Sequence, residues 1–203
     1  IIHNYFLRLK MVKEIFSIMY YLYFKPKLIT SKNLKNDIKY STKKVIDTLN
    51  IRLLIRGKQI LDKPILFISN HGSYLDPIIL KYLNPNVITL SKDDANKEIF
   101  LSRMMSQVMK NYGTILYKRG DKKSGSEVRK QIKKIIKDDG QSLLLFPEGR
   151  SYVGGPPNIF YAGSFEVAFN NNILIQPITI NYSDKIGWGI KDKYSKPYNY
   201  KLI

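Results

Sequence analysis

The sequence predicts a single α/β domain in which helices flank a mixed, largely parallel β-sheet. Three observations support this fold class. Short runs of apolar residues alternate along the chain with longer stretches that have helical spacing. The short runs are almost continuously apolar, as expected of strands that are buried on both faces. The chain has 203 residues, of which 44% are hydrophobic, and this is enough for one domain with a full core.

The first 49 residues are predicted to form a helical segment that precedes the sheet. Residues 7–24 are densely apolar, rich in tyrosine and phenylalanine, and flanked by basic residues. Their uninterrupted apolar stretch is about half of the ~20 residues that a membrane span requires. We therefore interpret this region as an amphipathic helix that lies in a membrane interface, where tyrosines and lysines are favoured. A helix packed on the domain is the alternative, and a second helix is predicted for residues 31–49.

Six strands are predicted in the domain that spans residues 50–203. Each is a short apolar or β-branched run that ends at glycine, proline or polar residues. They cover residues 51–55, 65–68, 87–90, 114–117, 142–146 and 173–180. The chain begins with isoleucine and stops without a clear terminating signal, so we expect this domain to be truncated at its C-terminus.

Four helices are predicted between these strands, from apolar positions at helical spacing. They cover residues 78–83, 98–112, 126–138 and 164–170. Asp76-Pro77 begins the first, because proline is favoured in a first helical turn. Gly113 ends the second. The basic residues of the third helix are interpreted as a solvated face and are given no role.

The composition limits the classes of function. A net charge of +18 indicates an anionic partner, such as nucleic acid, a membrane surface or a phosphorylated substrate, although a lysine-rich background explains part of it. The sequence contains no cysteine, which excludes disulfides, thiolate zinc sites and a cysteine nucleophile. With only two histidines, it cannot form a histidine-rich metal site, and no metal is expected.

A histidine and an aspartate follow the strand at residues 65–68. His71 lies just past the strand end, and Asp76 comes five positions later. A loop that folds back could bring Asp76 to one ring nitrogen, which would leave the other nitrogen free to take a proton. A helix-starting loop with an unrelated histidine is the alternative.

Cationic residues follow the other predicted strands. Lys92 comes after the strand at residues 87–90, Arg119 after the strand at residues 114–117, and Arg150 after Glu148-Gly149. Cations at the carboxyl edge of a parallel sheet suit a phosphate group, to which arginine can make bidentate contacts. Each of these loops alone would more often be solvated surface.

Four motifs occur in a consistent order and spacing. The first is Asn70 to Asp76, a histidine with an aspartate five residues later and an asparagine before it. The second is a glycine followed by an apolar strand and arginine, Gly113 to Arg119. The third is Phe-Pro-Glu-Gly, Phe146 to Gly149, and the fourth is an apolar stretch around a proline, Ile175 to Ile180. A Phe-x-x-Gly stretch, Phe160 to Gly163, belongs to the same pattern. In these motifs the chain resembles the glycerolipid acyltransferases, the family of 1-acylglycerol-3-phosphate (lysophosphatidic acid) acyltransferases.

The resemblance implies the fold of the glycerol-phosphate acyltransferases and assigns roles to the residues of the first and third motifs. His71, oriented by Asp76, would be the general base that removes the proton of an acceptor hydroxyl. Glu148 and Gly149 would shape the acceptor end of the site, with Glu148 bonding a glycerol hydroxyl.

The resemblance also implies a phosphate site. Arg119, with Lys92 and Arg150, would hold the phosphate of the acceptor. The family commonly has threonine and then arginine after Phe-Pro-Glu-Gly, whereas here Arg150 follows Gly149 directly. Arg150 either does the work of that arginine from a shifted position or fills the place of the threonine.

The implied reaction transfers a fatty acyl group from acyl-CoA or acyl-carrier protein to the free hydroxyl of 1-acylglycerol-3-phosphate, which forms phosphatidic acid in phospholipid biosynthesis. The thioester is a co-substrate, and no cofactor is expected. The remaining partner would be an anionic membrane surface, bound peripherally or monotopically on the cytoplasmic face.

Three alternatives remain at this point. The acceptor could be another lysophospholipid, or the chain could be an inactive membrane- or lipid-binding relative. A basic nucleic-acid-binding protein is the third alternative, but no base-stacking or finger motif supports it, and no nucleic acid is expected.

Overall fold

The structure is a computed structural model, which describes residues 13, 16–17, 31–48, 50–60, 62–73, 75–92, 100–117, 122–149, 158–182 and 199–202. The predicted interfacial helix at residues 7–24 lies outside this part of the chain, apart from Lys13, Phe16 and Ser17, which are helical. Within the described ranges, no helix combines the length and the apolar character needed to cross a membrane. The division of the chain at residues 49 and 50 stays a prediction.

The centre of the fold is a five-stranded sheet in which every pair of neighbouring strands is parallel. Its strands are β2 (Leu66–Ser69), β3 (Ile88–Lys92), β4 (Thr114–Tyr117), β5 (Leu143–Leu145) and β6 (Ile175–Ile178). Their order is β4-β3-β5-β2-β6, so the strand that carries the histidine motif lies between β5 and β6. The predicted parallel α/β sheet is therefore confirmed.

A second, smaller sheet contains β1 (Arg52–Ile55), β7 (Ile180–Tyr182) and β8 (Asn199–Leu202). Strand β8 is central; it runs parallel to β1 and antiparallel to β7. The prediction of one strand over residues 173–180 is wrong, because this stretch forms β6 in one sheet and begins β7 in the other. The side-chain amide of Asn70 donates to the carbonyl of Ile180 (2.9 Å) and accepts from its N–H (2.7 Å). These two bonds occupy the backbone groups of Ile180, so the pairing of β6 with β2 does not continue to this residue.

Five helices and one π-helical turn complete the described structure. They are α1 (Ser31–Thr48), α2 (Asp76–Leu83), α3 (Phe100–Asn111), α4 (Lys122–Lys133), the π-helical turn Lys134–Asp138 and α5 (Gly163–Asn170). Asp76 and Pro77 begin α2, as the sequence predicts. The single helix predicted for residues 126–138 instead changes to π-helical geometry in its last turn.

Apolar side chains cover both faces of the five-stranded sheet. Successive residues of a strand point to opposite faces, so Phe67 packs with α1 and α2, while Leu66 and Ile68 pack with α4 and α5. Complete burial of such a side chain contributes about 1.5–3 kcal/mol. The core therefore holds β2 from both sides, and the residues at its carboxyl end are placed by a rigid element.

Lys81 of α2 is buried in this core, with 2% of its surface exposed. Its ammonium group donates to the carbonyl oxygens of Val87 (2.9 Å) and Tyr112 (2.5 Å). It also lies 5.6 Å from the centre of the Tyr112 ring. Burial removes water from the ammonium group and lowers the pKa of Lys81 from 10.5 to about 7.

The buried lysine predicts a dependence of stability on pH. Between pH 7 and 10, about the range between the two pKa values, the unfolded chain holds a proton on Lys81 that the folded chain has released. Stability rises with pH wherever the unfolded state binds more protons. We therefore expect the free energy of unfolding, relative to that of a Lys81→Met variant, to increase from pH 7 to pH 10. Each pKa unit is worth about 1.4 kcal/mol, and the carbonyl hydrogen bonds reduce the effect because they favour the charged form.

Urea unfolding of both proteins at several pH values measures this difference. Groups other than Lys81 titrate in both proteins, so their contributions cancel in the comparison. A difference that stays constant across the pH range would show that Lys81 keeps its ordinary pKa in the folded chain.

Candidate active site

The strand ends that carry the predicted motifs meet at the carboxyl edge of the five-stranded sheet. Because β2 neighbours β5, His71 after β2 adjoins the loop Phe146 to Gly149 after β5. Lys92 at the end of β3 is in register with Tyr117 at the end of β4. In α/β proteins the carboxyl ends of parallel strands are the usual place for ligands.

The structure brings His71 and Asp76 together. The Nδ1 atom of His71 lies 2.9 Å from Oδ2 of Asp76, and the same oxygen accepts the N–H of Ser73 (2.8 Å). Asp76 is completely buried, whereas 15% of the His71 side chain is exposed. The loop between the two residues is held by the Ser73 hydroxyl, which accepts the N–H of Leu75 (3.1 Å). The short loop and the start of α2 therefore position the carboxylate beside Nδ1 of the imidazole.

This pairing determines which ring nitrogen of His71 can act as a base. An ionised carboxylate can only accept hydrogen bonds, so Nδ1 carries a proton and donates a hydrogen bond to Asp76. The Nε2 atom of the neutral ring is then the nitrogen that can take a proton. The ring also stacks on Phe146, with 4.2 Å between ring centres and 23° between ring planes. Both contacts restrict rotation of the imidazole.

Glu148 is the second buried carboxylate at this edge, with 2% of its surface exposed. Its Oε1 atom accepts the backbone N–H of His71 (3.0 Å). Its Oε2 atom is buried and has no hydrogen-bond partner in the described part of the chain. An unsatisfied buried acceptor costs about 1–3 kcal/mol, and a ligand that donates a hydrogen bond would remove that cost.

The loop after β5 is a tight turn. The N–H of Gly149 donates to the carbonyl of Phe146 (3.0 Å), and Gly149 has a φ of 70°. Residues with a Cβ rarely adopt this backbone conformation, so glycine is suited to the position. The carbonyl of Pro147 accepts the N–H of Tyr161 (2.9 Å) and so joins the turn to the segment before α5.

The predicted phosphate-binding residues are only partly described. The backbone of Lys92 ends β3 at the same edge of the sheet, but its side chain is outside the described structure. Arg119 and Arg150 lie outside the described residues. The assignment of these three cations to a phosphate group stays a prediction.

Two contributions to the site were missed in the interpretation of the sequence. Phe146 was known only as part of the Phe-Pro-Glu-Gly motif, and its ring supports the imidazole. Glu148 was assigned to the substrate, yet one of its oxygens also holds the backbone of His71. The sequence offers no signal for either contact, because both join residues after different strands.

A pocket of about 400 Å³ lies between the carboxyl half of α2, the residues after β1 and strand β6. Its wall includes Phe67, Leu80 and Leu144, together with the polar side chain of Gln176. None of His71, Asp76 and Glu148 lines it. It is therefore separate from the histidine–aspartate pair, and we assign it no role.

The fold and the site together define an α/β protein with a carboxylate-oriented histidine at the carboxyl edge of its parallel sheet. The family model described as Acyltransferase matches residues 37–181. This range includes β2 and β5, the strands that precede His71 and Glu148, and it covers more than half of the chain. The chain belongs to the Acyltransferase family.

Individual relatives agree with this assignment. A chloroplastic 1-acyl-sn-glycerol-3-phosphate acyltransferase of Arabidopsis thaliana is 31% identical over 125 residues, which are 62% of this chain and 34% of that protein. A 1-acyl-sn-glycerol-3-phosphate acyltransferase of Borreliella burgdorferi is 26% identical over 134 residues, which are 64% of this chain and 51% of that protein. The chain thus matches about a third to a half of the length of these relatives.

A solved structure shows the same fold. The crystal structure of the 1-acyl-sn-glycerophosphate acyltransferase PlsC from Thermotoga maritima superposes with a TM-score of 0.71. The comparison covers 99% of this chain and 83% of PlsC, at 17% sequence identity.

Proposed function

We propose that this chain transfers a fatty acyl group from an acyl thioester to the free hydroxyl of 1-acylglycerol-3-phosphate, which forms phosphatidic acid. The observation that carries the proposal is the pairing of His71 with Asp76, which leaves Nε2 as the proton-accepting nitrogen. The family and the names of the curated relatives support the acyl-transfer class and the choice of acceptor. The donor is acyl-CoA or acyl-carrier protein.

The reaction begins with removal of a proton from the acceptor. Nε2 of His71 takes the hydroxyl proton as the oxygen attacks the thioester carbonyl carbon, and Asp76 stabilises the imidazolium that forms. The tetrahedral intermediate then expels the thiolate of the donor, which receives the proton back from Nε2. Backbone N–H groups near Gly72 are the proposed donors to the oxyanion.

The remaining residues bind the acceptor. The Oε2 atom of Glu148, which has no partner among the described residues, accepts a hydrogen bond from an acceptor hydroxyl, while Oε1 keeps the backbone of His71 in place. Lys92, Arg119 and Arg150 hold the phosphate. Because acceptor and product are lipids, the protein works at the surface of an anionic membrane, to which each nearby basic residue adds about 1 kcal/mol of attraction.

The experiment that tests the proposal is an assay of the purified protein with acyl-CoA and, separately, acyl-carrier protein. The acceptors are 1-acylglycerol-3-phosphate and lysophospholipids with other headgroups, including monolysocardiolipin, and thiol release and lipid product are both measured. We expect turnover with 1-acylglycerol-3-phosphate to exceed that with the others. Transfer to another lysophospholipid would change the assigned acceptor. No thiol release with any pair would overturn the proposed acyl transfer and favour the inactive relative.

Replacement of Glu148 by glutamine tests its role in binding the acceptor. Glutamine has the same shape and retains an oxygen for the His71 N–H, but its NH₂ group cannot accept a hydrogen bond from a substrate hydroxyl. Since a hydrogen bond to a charged group contributes about 1.5–3 kcal/mol, we expect kcat/KM for the acceptor to fall about 10- to 100-fold. Steady-state kinetics with the acceptor varied measure this.

A matched control for this substitution is Glu166→Gln, because Glu166 is exposed on α5. It should leave the acceptor kinetics unchanged. Equal kinetics for Glu148→Gln and the wild type would show that Glu148 does not bind the acceptor. Its role would then be limited to its contact with the His71 backbone.

A further inference from the structure

Three consecutive apolar residues before α5 are exposed. Ile159 is 81% exposed, Phe160 40% and Tyr161 67%. Single exposed apolar residues are ordinary on protein surfaces, but contiguous apolar patches mark interaction sites. We call residues 159–161 the rim triplet.

The rim triplet is tied to the active-site loop. The backbone N–H of Tyr161 donates to the carbonyl of Pro147 (2.9 Å), and the next residue, Glu148, accepts the backbone N–H of His71 (3.0 Å). Two hydrogen bonds and one peptide unit therefore connect the rim triplet to the histidine. The position of the rim triplet is therefore fixed relative to the active-site loop.

One of the two aromatic rings of the triplet packs against α5. Phe160 stacks on Phe165 of α5, with 6.4 Å between ring centres and 17° between ring planes. Phe160 thus holds the segment against α5, while the more exposed Ile159 and Tyr161 face solvent. An aliphatic and a phenolic side chain together are suited to the depth at which apolar groups meet lipid headgroups.

We propose that the rim triplet inserts into the interface of an anionic bilayer and holds the site opening against the surface in which the lipid acceptor lies. This inference rests on the proposed function, and it assigns the contact to a specific surface of the domain. Charge complementarity favours this partner, because the chain carries a net charge of +18 and anionic leaflets attract basic surfaces. Apolar insertion and electrostatic attraction are the two terms that determine interfacial binding.

The test places a fluorescent reporter in the triplet. Trp188 is the only tryptophan of the chain, so a Trp188→Phe background allows one reporter at a time. Tyr161→Trp reports on the rim, and Phe169→Trp is the matched control, because Phe169 is 85% exposed at the far end of α5. The probe is a vesicle of phosphatidylcholine and phosphatidylglycerol, with or without bromine on the acyl chains.

With these vesicles, we expect the Tyr161→Trp reporter to shift its emission to shorter wavelength and to be quenched about two-fold or more by the brominated lipid. The Phe169→Trp reporter should change in neither respect. The inference is overturned if the protein fails to bind the vesicles, or if it sediments with them while the Tyr161→Trp reporter is unquenched. Equal quenching of both reporters also contradicts it. An emission shift of the Tyr161→Trp reporter that follows protein concentration without lipid would show that a second copy of the chain covers the triplet instead.

A second measurement uses activity. The double variant Ile159→Ser/Tyr161→Ser should lower the transfer rate to an acceptor in vesicles about ten-fold, and leave the rate with a dispersed short-chain acceptor unchanged. Phe169→Ser should change neither rate. If the double variant transfers to the vesicle acceptor at the wild-type rate, the triplet does not dock. If the wild type transfers to no acceptor, the proposed function fails, and the fluorescence experiment still decides whether the triplet meets lipid.

Discussion

Replacement of His71 by alanine is expected to lower kcat for acyl transfer by about 10²- to 10⁴-fold, the range contributed by a positioned general base. In the proposed mechanism Nε2 of His71 takes the proton of the acceptor hydroxyl, and a neutral alcohol attacks a thioester slowly without such a base. The KM values for donor and acceptor should change much less, because the residues proposed to bind the phosphate are Lys92, Arg119 and Arg150 and not His71. Single-turnover and steady-state rates with purified protein measure both quantities.

The fold should survive this substitution. The His71 side chain is partly exposed and packs on Phe146 at the edge of the sheet, and Asp76 keeps the N–H of Ser73 as a partner. His3→Ala is the matched control, because His3 is the only other histidine of the chain. Undiminished kcat in His71→Ala, with wild-type unfolding behaviour, would exclude the histidine as the base.

The central sheet could be predicted because its signal is local. Each of its strands is a short apolar run, and a parallel strand buried on both faces needs no other pattern. Thr114–Tyr117 was predicted with the bounds that the structure has. The small sheet could not be predicted in this way. It joins β1, near residue 52, to β8, near residue 199, and no local pattern specifies a partner so distant in sequence.

The same distinction between local and long-range contacts applies to the residues of the site. Asp76 is only five positions after His71, so a loop and a helix start were enough to predict that the two meet. Glu148 and His71 are 77 residues apart, and their contact depends on β5 lying beside β2, which is a property of the strand order. Lys81 illustrates the same limit. Its partners Val87 and Tyr112 lie 6 and 31 residues away, and the sequence shows only a lysine in a short helix.

Replacement of Asp76 by asparagine is expected to lower kcat about 10²- to 10⁴-fold, close to the loss in His71→Ala. Asparagine is isosteric, and its side-chain oxygen can take the place of Oδ2, which accepts from both Ser73 and Nδ1. Even in that orientation the variant loses the negative charge that, in the proposed mechanism, stabilises the imidazolium. If the amide NH₂ takes the place of Oδ2 instead, it faces Nδ1, the imidazole adopts the other tautomer, and Nε2 then carries a proton and cannot accept one. KM should change little, and the rates are measured as for His71→Ala. Asp47→Asn is the matched control, because Asp47 is an exposed aspartate that pairs with Lys43 on α1.

The decisive version of this prediction is a double-mutant cycle. If Asp76 acts on catalysis only through His71, it has no effect once the imidazole is gone, since residues that act as a unit give strongly non-additive losses. The double variant His71→Ala/Asp76→Asn should therefore have about the kcat of His71→Ala alone. Multiplicative losses would show that Asp76 contributes to the reaction without the histidine, for example by contacting a substrate. Urea unfolding of all four proteins separates either result from a loss of folded protein.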